Sequence, residues 1–278
     1  MRTGRGPALN GSNPGCSSGE QHWFIRARPL AVCSATMGDV RLLQHRIAGP
    51  EACPYLDGMS SSTETMLMTG VTPVELEDLL ERGWRRFGPV YFRPVCATCD
   101  ECVSVRVPVG TFAPSANLRR VLKRGAHVRL EVGEPVVDEV RLGLYRRWHE
   151  SREEERGWKP DRIGIESYAM QFCFPHAAAR EFSYWEDEEL VGVGIADETP
   201  RALSAVYCYY DPERSQLSLG TYNILRALEY ARHRHLGYVY LGYRVEGCAS
   251  LQYKGRFQPQ ERLRGRVDGA HPARWEPA

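Results

Sequence analysis

The chain has 278 residues, 42% of them hydrophobic and 10% aromatic, which indicates one large or two medium folded domains and excludes a disordered protein. The formal net charge is only +1, but residues 85–129 carry nine cationic side chains against two acidic ones. No run of about 18 apolar residues is present, which excludes a membrane-spanning helix.

The N-terminal part precedes any hydrophobic pattern. Residues 1–36 are rich in Gly, Ser, Pro and Arg, so we predict a disordered extension, with Met37 as a candidate start. The segment VRLLQHRI then predicts a strand or an amphipathic turn. Thr72-Pro73-Val74-Glu75 has the pattern of a capping box with proline at the first helical position. The helix should run to about Arg86 and bury one broad face: Val74, Leu76, Leu79, Leu80 and Trp84.

Three cysteines stand in RPVCATCDEC, directly before the alternating strand SVRVPV. The two Cys-x-x-Cys steps place Cys96, Cys99 and Cys102 within reach of one metal ion, and Cys53 in PEACPYLDG is the candidate fourth ligand. Thiolates favour zinc or an iron–sulfur cluster, so we predict a structural site of one of these kinds. The alternative is four buried apolar cysteines. The odd total of nine cysteines favours a reducing compartment, and we predict a cytoplasmic protein.

A basic helix follows. Ser115 is the predicted N-cap of NLRRVLKR, and Gly125 ends the helix. Leu118 and Leu122 should turn inward, which exposes four cations: Arg119, Arg120, Lys123 and Arg124. Such a face is typical of a surface that displaces counterions from nucleic-acid phosphates, and the alternative is an ordinary solvated face.

The second half alternates helices and strands. A strand over 127–132, helices over 138–156 and 166–174, three strands in hairpin succession, a helix over about 220–235 and the strand YVYLGYRV follow in order. This is the order of an N-acetyltransferase-like α+β domain with a mostly antiparallel central sheet. The segment RSQLSLGT lacks the glycines that would cradle the pyrophosphate of an acyl-coenzyme A. We therefore predict three regions: the extension 1–36, a cysteine-bearing nucleic-acid-binding domain over 37–125, and the acetyltransferase-like domain over 126–278.

Seven blocks carry a family resemblance. In order they are CPYL, RPVCATCDEC, VRVPVGTFAPSANLRR, SAVYCYYDP, SLGTY, YLGY and YKGRFQP. Together they resemble the aminoacyl-tRNA–protein transferases of the N-degron pathway, and most closely the bacterial aspartate/glutamate leucyltransferase branch. The resemblance implies transfer of an amino acid, Leu or alternatively Arg, from its aminoacyl-tRNA to proteins that begin with Asp or Glu. It implies no cofactor for the transfer beyond the charged tRNA.

The implied reaction is aminolysis of an activated ester, which needs proximity and oxyanion stabilisation rather than a covalent nucleophile. The acceptor's negative side chain should meet a buried cation, for which YKGRF offers Lys254 and Arg256. Candidate catalytic residues are Tyr207, Tyr209, Tyr243 and Thr221, although tyrosines at this density are also typical of a core. Candidate tRNA contacts are Ser218 and Gly220 at a helix start, together with the four cations of the basic helix.

Two other classes stay open, an acyl-coenzyme A acetyltransferase and a non-catalytic tRNA- or zinc-binding adaptor. The first lacks the donor-binding glycines, and the second leaves YLGY and YKGRF without a role. We expect a monomer whose partners are leucyl- or arginyl-tRNA and proteins with N-terminal Asp or Glu, with no membrane partner.

Overall fold

The computed structural model describes residues 40–269 and 271–278. The predicted extension over 1–36 and Met37 lie outside these residues. In the described part, the strands form a four-stranded sheet and an eight-stranded sheet. None of the helices found there combines the length and the apolar character needed to cross a membrane.

The smaller sheet comes from the first third of the chain. Its strands are β1 (Arg41–Ala52), β2 (Ser60–Thr69), β3 (Arg85–Phe87) and β4 (Val90–Pro94). They lie in the order β1-β2-β4-β3, with each neighbouring pair antiparallel. The segment VRLLQHRI is therefore the start of a strand.

Helix α1 (Pro73–Glu81) connects β2 to β3. The capping box is confirmed, because the Thr72 hydroxyl accepts from the Glu75 amide and the Thr72 amide donates to the Glu75 carboxylate. The expected extension to Arg86 is wrong: Gly83 adopts φ +83°, and the chain then pairs with β4. Val74, expected inside, is 65% exposed.

The larger sheet holds the remaining strands of the described chain. These are β5 (Val103–Pro108), β6 (Arg129–Gly133), β7 (Ala179–Glu186), β8 (Glu189–Glu198), β9 (Ala202–Tyr210), β10 (Tyr238–Arg244), β11 (Glu261–Leu263) and β12 (Trp275–Pro277). Their order is β12-β11-β5-β10-β9-β8-β7-β6. Of the pairs described, β9–β10 is parallel and the others are antiparallel, which confirms the predicted α+β fold with a mostly antiparallel sheet.

Helices cover the two faces of this sheet. They are α2 (Ala116–Arg124), α3 (Glu139–Arg156), α4 (Ile165–Phe172), α5 (Leu219–His233) and the short α6 (Ala249–Gln252). Helices α2 and α5 share one apolar core, and α3 and α4 share another with inward residues of β8 and β9. The division between the sheets does not coincide with the predicted boundary at 125/126, because β5 and α2 belong to the layers of the larger sheet.

Strands β9 and β10 separate part-way along their length. They pair only through Ala202 with Tyr238, Leu203 with Val239 and Ser204 with Tyr240. Beyond these positions β9 stays with β8, while β10 stays with β5 across a register shift next to Gly242. Gly242 has φ +80°, a conformation that favours glycine. The divergence leaves a gap in the sheet.

Candidate active site

A cavity of about 190 Å³ occupies the gap between the diverging strands. We call it the inter-strand cavity; its walls come from β9, β10, β3, β4 and the 3₁₀ helix Tyr253–Arg256. Three cations line it, namely Arg85, Arg86 and Lys254. Its apolar lining comes mainly from Phe87, Phe92, Val206, Leu241 and Leu251. Among the described residues, no Asp or Glu side chain lines this cavity.

Arg85, which the sequence analysis did not single out, projects from β3 and is only 7% exposed. Its Nη1 donates to the Trp84 carbonyl at 3.1 Å, whereas its buried Nε and Nη2 have no hydrogen-bond partner among the described atoms. The guanidinium carbon lies 5.4 Å from the ring centre of Tyr240 and 5.7 Å from that of Tyr243. Burial lowers the pKa of Arg85 from its ordinary value.

Arg86, the next residue, is equally buried but fully engaged. Its Nε donates to Asp197 at 3.0 Å, its Nη2 donates to the second oxygen of the same carboxylate, and its Nη1 donates to the Gly88 carbonyl at 2.9 Å. Asp197 is itself 1% exposed. This pair joins β3 of the smaller sheet to β8 of the larger one.

The two cations predicted from YKGRF separate in the structure. Lys254 lines the inter-strand cavity, and its Nζ donates to the Tyr243 carbonyl at 2.8 Å. Burial, assisted by the nearby charge of Arg85, lowers the pKa of Lys254 to about 7. Arg256 is exposed and lines neither described cavity.

The predicted catalytic tyrosines occupy different environments. Tyr207 lines the inter-strand cavity and packs against Phe87, with ring centres 5.9 Å apart. Tyr243 also lines it, but its hydroxyl donates to the Gly83 carbonyl at 2.8 Å. Tyr209 is fully buried, with its hydroxyl 2.5 Å from that of Tyr168, and it lines neither described cavity. Burial raises the pKa of both Tyr209 and Tyr243.

The basic face of α2 adjoins the start of α5. Ser115 caps α2 as expected, and Arg119, Arg120, Lys123 and Arg124 are all exposed. Arg124 Nε donates to the Gln216 carbonyl at 2.9 Å, and its Nη2 donates to the Ser218 hydroxyl at 3.3 Å. The ion pairs recorded for the described residues involve none of these four cations.

Two further predicted residues lie in the first turn of α5. The Thr221 amide donates to the Ser218 carbonyl at 2.9 Å, and Gly220 lies against the ring of Tyr210. Neither residue lines the inter-strand cavity. The structure therefore joins the predicted tRNA contact Ser218 to α2, places Gly220 against β9, and leaves Thr221 outside the cavity that Tyr207 lines.

All four predicted metal ligands line a second cavity of about 630 Å³: Cys53, Cys96, Cys99 and Cys102. Burial and the neighbouring thiols raise the pKa of Cys102 to about 12. The donor chemistry suits zinc or an iron–sulfur cluster, but no three His, Cys, Asp or Glu side chains within the described residues are arranged to hold a metal ion. The described side chains are thus not arranged to hold zinc or an iron–sulfur cluster. The metal site stays a prediction, and no step proposed below depends on it.

The two cavities share a wall. Tyr55, Thr63, Pro94, Cys102 and Tyr243 line both. The second cavity therefore adjoins the inter-strand cavity along the contact between the two sheets.

Solved structures match part of this fold. L-PGS from Bacillus licheniformis has a TM-score of 0.38 at 18% identity, covering 52% of this chain and 45% of its own. FemX has a TM-score of 0.40 at 9% identity, covering 60% of this chain and 59% of its own. Likenesses this partial carry no weight for fold or function.

The sequence relatives are closer. The aspartate/glutamate leucyltransferase of Helicobacter hepaticus is 35% identical over 227 residues, which cover 81% of this chain and 94% of that protein. The enzymes of the same name from Campylobacter jejuni and Afipia carboxidovorans are 33% and 36% identical, cover 77% and 79% of this chain, and are each matched over 90% of their length.

Family models match both halves of the chain. The model of the N terminus of arginine-tRNA-protein transferase matches residues 51–120, and the model of its C terminus matches residues 140–264. These ranges include Arg85, Arg86, Tyr207, Tyr243 and Lys254. With both models matched in order and relatives above 30% identity spanning most of each chain, this protein belongs to the arginine-tRNA–protein transferase family and is an aminoacyl-tRNA–protein transferase.

Proposed function

We propose that the chain transfers leucine from leucyl-tRNA to the N-terminal Asp or Glu of proteins and so creates an N-degron. The observation that carries the proposal is the inter-strand cavity, which combines cations with an apolar wall and is lined by no carboxylate of the described residues. Relatives named aspartate/glutamate leucyltransferase over most of both chains support the same reaction.

The lining of the cavity favours leucine over arginine as the amino acid transferred. A leucyl side chain matches the apolar wall formed by Phe87, Phe92 and Leu251. An arginyl side chain would add a cation beside Arg85 and Lys254, with no acidic group lining the described cavity to balance it. Placing like charges side by side in a desolvated site costs on the order of several kcal/mol.

We propose that the acceptor is recognised by attraction between its negative side chain and the cations of the cavity. The side chain of an N-terminal Asp or Glu is a carboxylate, which meets the cationic part of the cavity, and Lys254 is our proposed contact there. Arg256, the second predicted cation, is exposed, so it is left with a role outside the cavity.

The transfer is an aminolysis that needs no redox partner. The neutral α-amine of the acceptor attacks the ester carbonyl of the aminoacyl-tRNA, a C–N bond forms and the C–O bond to the ribose breaks. The proton lost by the attacking amine ends on the ribose oxygen. We propose that the cavity contributes mainly by holding the reactants close together and by excluding water. Among the residues that line it, Tyr207 is our proposed catalytic residue.

The tRNA body requires a larger, exposed surface. We propose that it lies across α2 and the start of α5, because Arg119, Arg120, Lys123 and Arg124 are exposed and Arg124 contacts Ser218. A protein that uses charged tRNA works where translation occurs, so we propose a cytoplasmic location, and we keep a monomer as the proposed state.

The test is a transfer assay with purified protein. Leucyl-tRNA or arginyl-tRNA, each labelled on the amino acid, is mixed with peptides that begin with Asp, Glu, Asn or Ala. We expect leucine to be transferred to the Asp and Glu peptides and much less to the others, and arginine to be transferred more slowly than leucine.

Labelled acetyl-coenzyme A with the same peptides tests the acetyltransferase alternative, and tRNA binding without any transfer would indicate an adaptor. Arginine transferred faster than leucine, or no transfer from either tRNA, would contradict the proposal.

A further inference from the structure

Arg85 and Arg86 are consecutive, equally buried and differently satisfied. Arg86 grips Asp197 through Nε and Nη2, the two N–H groups along one edge of its guanidinium. The same two nitrogens of Arg85 are buried and have no hydrogen-bond partner among the described atoms. A buried charged donor that lacks a partner costs free energy, so such an edge is retained where a ligand fills it.

The environment of Arg85 holds the group in place without occupying this edge. The guanidinium lies over the rings of Tyr240 and Tyr243, and its remaining nitrogen donates to the Trp84 carbonyl. No acidic side chain among the described residues lines the cavity in front of it. The position of the guanidinium is thus fixed by contacts that leave its buried carboxylate-binding edge without a hydrogen-bond partner among the described atoms.

The space next to this edge is kept open by Gly242. A Cβ atom at Gly242 would lie 3.4 Å from Lys254 Nζ and 3.8 Å from Arg85 Nε. One small volume is therefore bordered by two cations from different elements. A carboxylate placed there would lie within reach of both, and the planar fork of arginine suits it better than the single ammonium of lysine.

We propose that Arg85 is the specificity-determining residue for the acceptor and binds the side-chain carboxylate of its N-terminal Asp or Glu through Nε and Nη2. The inference rests on the proposed function. It assigns acidic selectivity to β3, ahead of the cysteine run, rather than to the YKGRF segment alone.

The experiment compares Arg85→Lys and Arg85→Gln with the wild-type protein on peptides that differ only in an N-terminal Asp or Asn. Arg85→Lys keeps the positive charge but loses the paired donors Nε and Nη2, and Arg85→Gln loses both the charge and the paired donors. We expect kcat/KM for the Asp peptide to fall by about 30-fold or more relative to kcat/KM for the Asn peptide, as for a lost contact between desolvated charges. The Asp-to-Asn preference should therefore collapse.

The matched control is Arg106→Lys. Arg106 is as buried as Arg85, but its Nε donates to Glu261 at 2.7 Å and it lines neither described cavity. We expect this variant to keep the wild-type Asp-to-Asn preference. Leucyl-tRNA binding and thermal melting are measured for every variant, so that a loss of fold is recognised.

If both Arg85 variants fail to fold, the inference is tested by NMR on the wild-type protein. With ¹⁵N-labelled arginine, the Asp peptide should shift an Arg Nε–H resonance that the Asn peptide leaves unchanged. An unchanged preference in a folded Arg85 variant, or no such shift, would overturn the inference. A wild-type protein that transfers nothing to acidic peptides would instead overturn the proposed function.

Discussion

The molecule has two cationic regions built on opposite physical principles. The inter-strand cavity holds a buried Arg85 and a half-buried Lys254, whereas α2 presents four cations to solvent. In the cavity, little water screens the charges, so each discriminates strongly between a carboxylate and a neutral group and each destabilises the empty protein. On α2 the charges are hydrated and screened, so each contributes a modest, salt-dependent attraction to phosphates and discriminates little between chemical groups. Burial, rather than the number of charges, separates selectivity from affinity.

The largest effect is expected within the buried region, from Arg86→Ala. The change leaves Asp197, 1% exposed, as an unpaired buried charge, and we expect the free energy of unfolding to fall by about 3–5 kcal/mol. Arg85→Met is the matched control, because it removes an adjacent buried guanidinium that has no carboxylate partner. Its free energy of unfolding should stay unchanged or rise. Denaturant unfolding of both variants measures the difference, and equal losses would show that the two arginines are not distinct.

An intermediate effect is expected on α2. Replacing Arg119, Arg120 and Arg124 by Ala should weaken tRNA binding by roughly 10- to 100-fold near 0.1 M salt and make affinity less salt-dependent, because fewer counterions are released. Circular dichroism checks that the helix persists. The control replaces three exposed cations of the α3–α4 region: Arg147, Lys159 and Arg162. Equal weakening by the two triple variants would mean that α2 is an ordinary solvated face.

The smallest effect concerns the pH dependence of stability. The pKa of Lys254 is about 7 in the folded protein against an ordinary 10.5, so between these values the unfolded chain binds more protons. Stability therefore falls as pH is lowered through this range and levels off below about 7. Lys254→Met should be more stable than the wild type at pH 7, by on the order of 1 kcal/mol after allowance for partial exposure, and the difference should shrink by pH 9. A difference that grows with pH would contradict this sign.

Local signals in the sequence predicted the elements well. Ser115 and Thr72 cap helices because their side chains satisfy free amides within a few residues, and the predicted succession of three hairpin strands corresponds to β7, β8 and β9. The order of elements in the second half followed from these signals, since each depends on neighbours in the chain.

Arg85 could not be found in the same way. An extended α1 would have placed it on a helix. Its burial arises because β3 pairs with β4 and packs beside β9 and β10, two strands that lie more than 100 residues further along the chain. Lys254 and Arg256 differ for a related reason: they lie two positions apart on a 3₁₀ helix of about three residues per turn, so they point in different directions. The cysteine spacing predicted a metal site, and the four cysteines line one cavity, yet the convergence of ligands depends on side-chain positions that spacing does not fix.

The two groups that border the space beside Gly242 are carried by different sheets. Arg85 belongs to a strand of only three residues in the smaller sheet, and Lys254 follows the last long strand of the larger one. The pair of cations is thus brought together only when the two sheets pack against each other. Arg85 can therefore be replaced without changing the segment that carries Lys254. Substitutions confined to β3 offer evolution, or an engineer, a route to redirect which N-termini are modified while the diverging strands stay as they are.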